Sequence, residues 1–198
     1  MKPFITASIV GLIAITSSFA AEVGKAAPVF TAKTAKGTQV SLADYKHKVV
    51  VLEWLNFECP FVKKHYSSKN MQTLQAAYTE KGVIWLTVNS AAEGKQAYLE
   101  ASKLAEKATS EGSKATEILV DSDGKVGKAY DAKVTPHMMI IGKDGTLAYS
   151  GAIDSAPSTK AEDIAGADKL FANALDAVLA GKEVTNPSNK PYGCGVKY

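Results

Sequence analysis

Apolar positions along the chain fall into two rhythms, short unbroken runs and helical spacings, and the two alternate. Val49-Val50-Val51-Leu52 crowds β-branched residues without polar alternation, the pattern of a strand covered on both faces. It predicts a first central strand over residues 49–56. Residues 83–88 predict a second buried strand, and 118–120 a third. Ahead of them, residues 28–41 carry two β-prone runs around Lys36-Gly37, readable as a hairpin. Met71, Leu74, Ala77 and Tyr78 fall on one helical face, so the chain from Cys59 to Lys81 reads as a helix in two pieces, stopped by Gly82. Ser90 and Glu93 stand at capping-box spacing before Ala97, Ala101, Leu104, Ala105 and Ala108, which predicts another helix. Asp121 to Tyr130 reads as a turn and a short helix; it has the opening acids of a calcium loop and lacks that motif's later ligands. Residues 138–141 and 146–150, joined through Lys143-Asp144-Gly145, predict an antiparallel hairpin. Thr159 and Glu162 predict the cap of a last helix that turns Ile164, Ala167, Phe171, Ala174, Leu175 and Val178 inward and ends at Gly181. Residues 186–198 are rich in Pro and Gly and predict an irregular tail. The sum is a single α/β domain with a central mixed β-sheet flanked by helices.

Composition changes that picture at the N-terminus. Lys2, an apolar stretch from Phe4 to Ile15, and small residues through Ala20 have the form of an export signal, with cleavage expected after Ala20. The stretch is short for a membrane span, and no cysteine near the cleavage site suggests a lipid anchor; a retained N-terminal anchor is the alternative. The expected organisation is therefore a signal over 1–20, a domain over 21–185 and a tail over 186–198, in an exported, periplasmic or secreted protein. The formal charge of +3 points away from nucleic acid as a partner. Every basic residue is a lysine, so the planar fork that arginine offers to oxyanions is missing. Two cysteines in an exported chain permit one disulfide.

The first of them carries the chemistry. Cys59 follows a buried strand and precedes Pro60, a residue suited to the first turn of a helix. A sulfur at a helix amino end meets unpaired N–H groups and the positive end of the helix dipole, which favour a thiolate. Cys194 stands four residues from the end of the sequence.

The order strand, Cys59-Pro60, helix, Val134-Thr135-Pro136, hairpin and helix resembles the thioredoxin fold, and more closely the redoxins of the alkyl hydroperoxide reductase/thiol-specific antioxidant family and their peroxiredoxin-like relatives. The CPFVK stretch and the GCGVKY tail are similar to a branch pairing a CxxCP(Y/F)VK site with a C-terminal Gly-Cys; Asn56 replaces the first cysteine of that CxxC. The resemblance covers roughly residues 24–181. It implies a thiol-dependent oxidoreductase with no bound cofactor, since sulfur carries the electrons, acting on a peroxide or disulfide and restored by an external thiol reductant. Cys59 would attack, and Cys194 would condense with the resulting sulfenic acid or mixed disulfide. The resemblance also implies a cis Pro136, with Thr135 offering backbone groups to a substrate segment. Peroxiredoxins carry Pro and Thr or Ser seven and three residues before the reactive cysteine, where Leu52 and Asn56 stand here. They also use an arginine; Lys63, four residues beyond Cys59, is the expected partial substitute.

Other readings stay open. A permanent Cys59–Cys194 bridge, closing a loop of about 135 residues, would stabilise the fold by roughly 5 kcal/mol in chain-entropy terms. Glu53 interrupts an apolar strand and is either a proton shuttle of raised pKa or a satisfied structural acid. Phe57 is a packing residue or a wall of the site. Cys59, His137, Met138 and Met139 offer soft ligands that suit a copper-handling chaperone. The rival to catalysis is a binding or scaffold module on the same fold.

Overall fold

The computed structural model describes residues 20–198; the expected export signal lies outside the described residues, apart from Ala20. Strands β1 (Thr31–Thr34) and β2 (Gln39–Ser41) form the first hairpin. β3 (Val50–Trp54), β4 (Ile84–Asn89) and β5 (Glu117–Val120) run parallel, while β7 (His137–Ile141) and β8 (Leu147–Gly151) add antiparallel neighbours. The sheet has seven strands in the order β2-β1-β5-β4-β3-β7-β8. Its mixed pairing matches the architecture read from the sequence.

Both faces of this sheet are covered, which explains the unbroken apolar runs. Val51 and Leu55 enter one core with α1 (Pro60–Ser67), α2 (Asn70–Thr79), α3 (Ala101–Ser110) and α5 (Leu170–Leu179), whose Val62, Met71, Leu104 and Phe171 are buried there. Val50, Leu52 and Trp54 point the other way, onto Phe30 and onto Val126 of α4 (Lys125–Ala129). Each fully buried side chain of this size contributes roughly 1.5–3 kcal/mol. Among the described residues, no helix is long and apolar enough to cross a membrane.

Three elements depart from expectation. The helix forecast from Ser90 begins only at Ala101, because Ala97 (φ 74°) and Gly94 (φ 76°) break any helical path and the Ser90 hydroxyl is spent on Asp121, 2.5 Å away. The last helix starts at Leu170 with Lys169 as its N-cap, preceded by a single 3₁₀ turn over Ala161–Ile164 whose N-cap is Lys160, one residue past Thr159. On α2 the buried face is Met71, Gln72, Gln75 and Tyr78, with Ala77 exposed. Gln75 turns inward because its amide donates to the carboxylate of Glu53 at 2.9 Å. The tail, forecast as irregular, holds a two-residue strand, β9 (Cys194–Gly195), paired antiparallel with β6 (Val134–Thr135).

Candidate active site

Cys59 is the N-cap of α1, its own backbone extended (φ −67°, ψ 124°), with Pro60 in the first helical turn. The approach to it is a tight turn: the Asn56 carbonyl accepts from the Cys59 amide at 3.0 Å, and the Asn56 side-chain oxygen accepts from the Glu58 amide at 2.8 Å. Asn56 thus shapes the loop that delivers the sulfur. Phe57 is buried with its ring edge-on to Tyr66, centroids 5.2 Å apart. Asn56 and Phe57, with Glu58, Asn89 and Leu99, also border a cleft of about 430 Å³ beside that loop.

Opposite the sulfur runs β6. The Cys59 thiol donates to the carbonyl of Thr135 at 3.0 Å, and Thr135–Pro136 is a cis peptide. Thr135 is also the register partner of Cys194 on β9. The tail crosses so closely that a Cβ on Gly193 (φ 144°) would fall 2.0 Å from the Thr135 oxygen, and only glycine fits there. The two cysteines are free thiols on either side of one residue, Thr135.

Their acidities are pushed apart. Burial alone would raise the pKa of Cys59, which is only 1% exposed. Hydrogen bonds outweigh it: the Cys194 thiol, the Thr135 hydroxyl and the amides of Val62 and Cys194 together hold Cys59 below the ordinary thiol value. The Thr135 carbonyl supports only the protonated form, so those donors take over when the proton leaves. Cys194 is pushed up to about 11, by burial first and then by the hydrogen bond and charge of Cys59.

A family profile, described as the AhpC/TSA family, matches residues 23–150. The chain belongs to the AhpC/TSA family. Among curated proteins, comparison by sequence finds no match. Several solved structures share the fold of this AhpC/TSA chain. An uncharacterized conserved protein from Geobacillus kaustophilus is 28% identical, with a TM-score of 0.75 over 89% of this chain and 92% of its own. A hypothetical protein from Sinorhizobium meliloti is 22% identical, TM-score 0.75, over 91% and 96%. The thioredoxin domain of a thiol-disulfide oxidoreductase from Bacteroides vulgatus is 19% identical, TM-score 0.51, over 73% and 96%. The fold of this AhpC/TSA protein is therefore thioredoxin-like.

Not every residue singled out from the sequence faces the sulfur. Lys63 is exposed to solvent and is not among the groups that shift Cys59. Its four-residue spacing from Cys59 misleads because Cys59 is a cap in extended conformation, outside the helical period. Glu53 is completely buried, and its carboxylate accepts from Trp85 Nε1 at 2.7 Å, Gln75 Nε2 at 2.9 Å, the Tyr66 hydroxyl at 3.1 Å and the Thr87 hydroxyl at 3.3 Å. Burial raises its pKa and these donors offset the rise in part. The copper set is split: Cys59 and Met138 belong to one core, Met139 to the other, since neighbouring strand residues face opposite ways. His137 bonds the Ser150 hydroxyl at 3.1 Å. No group of three His, Cys, Asp or Glu side chains placed to hold a metal ion occurs among the described residues.

Sequence reasoning missed the polar cluster of Lys64, His65, Asp154 and Tyr192. Lys64 and His65 are fully buried on α1, beside Asp154. Phe61, Lys64 and His65 share one helical face at i, i+3, i+4, and two basic side chains beside an aromatic on one face are the signal that would have revealed it.

Proposed function

We propose that this protein is an exported thiol-dependent oxidoreductase in which Cys59 and Cys194 form a redox pair. Family membership and the thioredoxin-like fold support a redox role. The observation that carries the reading is the pairing of β9 with β6, which lays Cys194 against Thr135 while Cys59 bonds the same residue from the helix side. With a peroxide, the Cys59 thiolate takes the distal oxygen; the O–O bond breaks, the alkoxide leaves and collects a proton. The Cys194 thiol then attacks the sulfenic sulfur, and water departs as the disulfide forms. Two thiols and a peroxide become a disulfide, an alcohol and water; an external dithiol returns the protein to its reduced form.

The disulfide-exchange variant uses the same sulfurs. Cys59 attacks a substrate disulfide, and Cys194 displaces the substrate thiolate from the mixed disulfide. The closed tail supports the small oxidant over a protein disulfide: Cys59 is 1% exposed, and the Thr135 backbone a substrate strand would use is already paired with Cys194. Peroxide consumption in the presence of a dithiol tests the reading, compared among the parent protein, Cys59→Ser and Cys194→Ser. Loss in Cys59→Ser supports it, together with an oxidised parent lighter by two hydrogens. Full activity in both variants overturns it. Export is tested separately by N-terminal sequencing of the mature protein, which begins at Ala21 if cleavage follows Ala20.

A further inference from the structure

The tail that carries Cys194 is seated on a buried polar cluster outside the redox pair. Tyr192, two residues before Cys194, lays its ring against Phe61, centroids 5.7 Å apart, with the Lys64 ammonium 5.5 Å from the ring centre. Its hydroxyl donates to Asp154 Oδ1 and lies 3.4 Å from His65 Nε2. Asp154 is buried just beyond β8, where its second oxygen lies 3.7 Å from Lys64 Nζ and 3.8 Å from His65 Nε2. Lys64 also donates to the Ala156 carbonyl at 2.7 Å, and the Ala156 amide donates to Asp154 Oδ1 at 3.0 Å.

His65 takes little part as a charge. Burial first, with the Lys64 cation second, outweighs Asp154 and holds its pKa at about 4, so Lys64 is the cationic partner of Asp154 at neutral pH. Burying such a pair is a poor way to gain stability, since an apolar set of equal volume does as well or better. What it supplies is directionality, because a hydroxyl bonded to a fixed carboxylate has one place to be. The placement matters because α1 begins at Cys59 and carries Phe61, Lys64 and His65 along its flank. A single helix thus presents one thiol and grips the segment that presents the other.

We propose that Tyr192 is the positioning residue for Cys194, its hydroxyl held by the Asp154–Lys64–His65 cluster so that the tail keeps Cys194 beside Cys59. This rests on reading the two cysteines as a redox pair. Positioning of this kind sets the effective concentration of one thiol at the other. Glutathione reports it: the reduced protein and one oxidised glutathione give the Cys59–Cys194 disulfide and two reduced glutathiones. One S–S bond forms as another breaks, and both thiol protons pass to glutathione.

The test measures that equilibrium constant on the full mature chain for the parent, Tyr192→Phe and Asp154→Asn. Tyr192→Phe keeps the ring on Phe61 and deletes only the hydroxyl. A hydrogen bond to a charged group is strong enough that its loss should lower the constant about tenfold. Asp154→Asn should lower it too. Amide hydrogen exchange in β3 and β4, which reports the core apart from the tail, should not respond to Tyr192→Phe. An unchanged constant in Tyr192→Phe overturns the proposal. So does a lowered constant accompanied by faster exchange in those strands, which would mark a general loosening of the fold. If the parent itself forms no Cys59–Cys194 disulfide at any glutathione ratio, the redox pair falls and the positioning role with it.

Discussion

Two thiols stand on either side of Thr135, and the protein treats them in opposite ways. Cys59 is buried at the start of α1, yet donors from Cys194, Thr135 and Val62 bring its pKa down against the pull of burial. Cys194 lies partly open on a two-residue strand, and burial plus the neighbouring sulfur hold it near 11. The buried sulfur is therefore the readier anion, and the more open one keeps its proton. Acidity here follows from which sulfur the donors point at, the Cys194 thiol and Thr135 hydroxyl ahead of the amides, and exposure counts for less. That division suits one thiol to attack and the other to resolve.

Of the substitutions that bear on this contrast, Cys59→Ser should have the largest effect: peroxide consumption above the uncatalysed rate disappears, measured by peroxide loss with a dithiol present. Cys194→Ser should be next. Without a resolver the oxidised protein accumulates as the Cys59 sulfenic acid, one oxygen heavier by intact mass. In Cys194→Ala, which also deletes the side-chain donor, the Cys59 alkylation pKa rises.

Acid should loosen the fold around both sulfurs. His65 and His137 are each held at about 4, chiefly by burial. A depressed folded pKa gives stability that is present above the unfolded value of about 6.5 and lost as pH falls, on the order of 3 kcal/mol per histidine by pH 4. Glu53 acts with the opposite sign. Its raised pKa gives stability that is complete below the unfolded value of about 4.3 and lost as pH rises through the folded value. Denaturant melts between pH 4 and 8 should show the histidine loss in the parent, reduced in His137→Gln. Glu53→Gln places an amide among four donors and should cost about 1–3 kcal/mol while leaving Cys59 alkylation as it was. A changed alkylation profile in that variant would return Glu53 to the site. The smallest effect should come from Thr135→Val, which removes one hydroxyl donor and raises the Cys59 alkylation pKa slightly.

Much of the fold was legible in local pattern. The runs at 49–52 and 83–88 are strands because both sheet faces are covered, and the Pro60 start and two-piece helix follow from backbone chemistry, with the break at Lys69 (φ 63°). What escaped depends on partners far along the chain. The two capping boxes failed because Ser90 was claimed by Asp121 and the residues before Leu170 were tied elsewhere, Asp168 to Ser155. The inward face of α2 was misread because a glutamine there answers a buried acid on β3. At the site, Cys59, Thr135 and Pro136 were evident from resemblance, whereas the grip on Tyr192 joins residues 61–65, 154 and 192. No local rhythm announces such a contact. Lys63 lies out in solvent for a simpler reason, that a cap residue in extended conformation does not share the helical period.

The most direct measurement is the rate of Cys59 alkylation against pH in the reduced Cys194→Ser protein and in the parent, read residue by residue by mass. Donors aimed at a buried sulfur predict that in the parent Cys59 titrates below the free-cysteine value of about 8.5 and below Cys194. A Cys59 that titrates at or above that value, or after Cys194, would contradict the assignment of attacker and resolver.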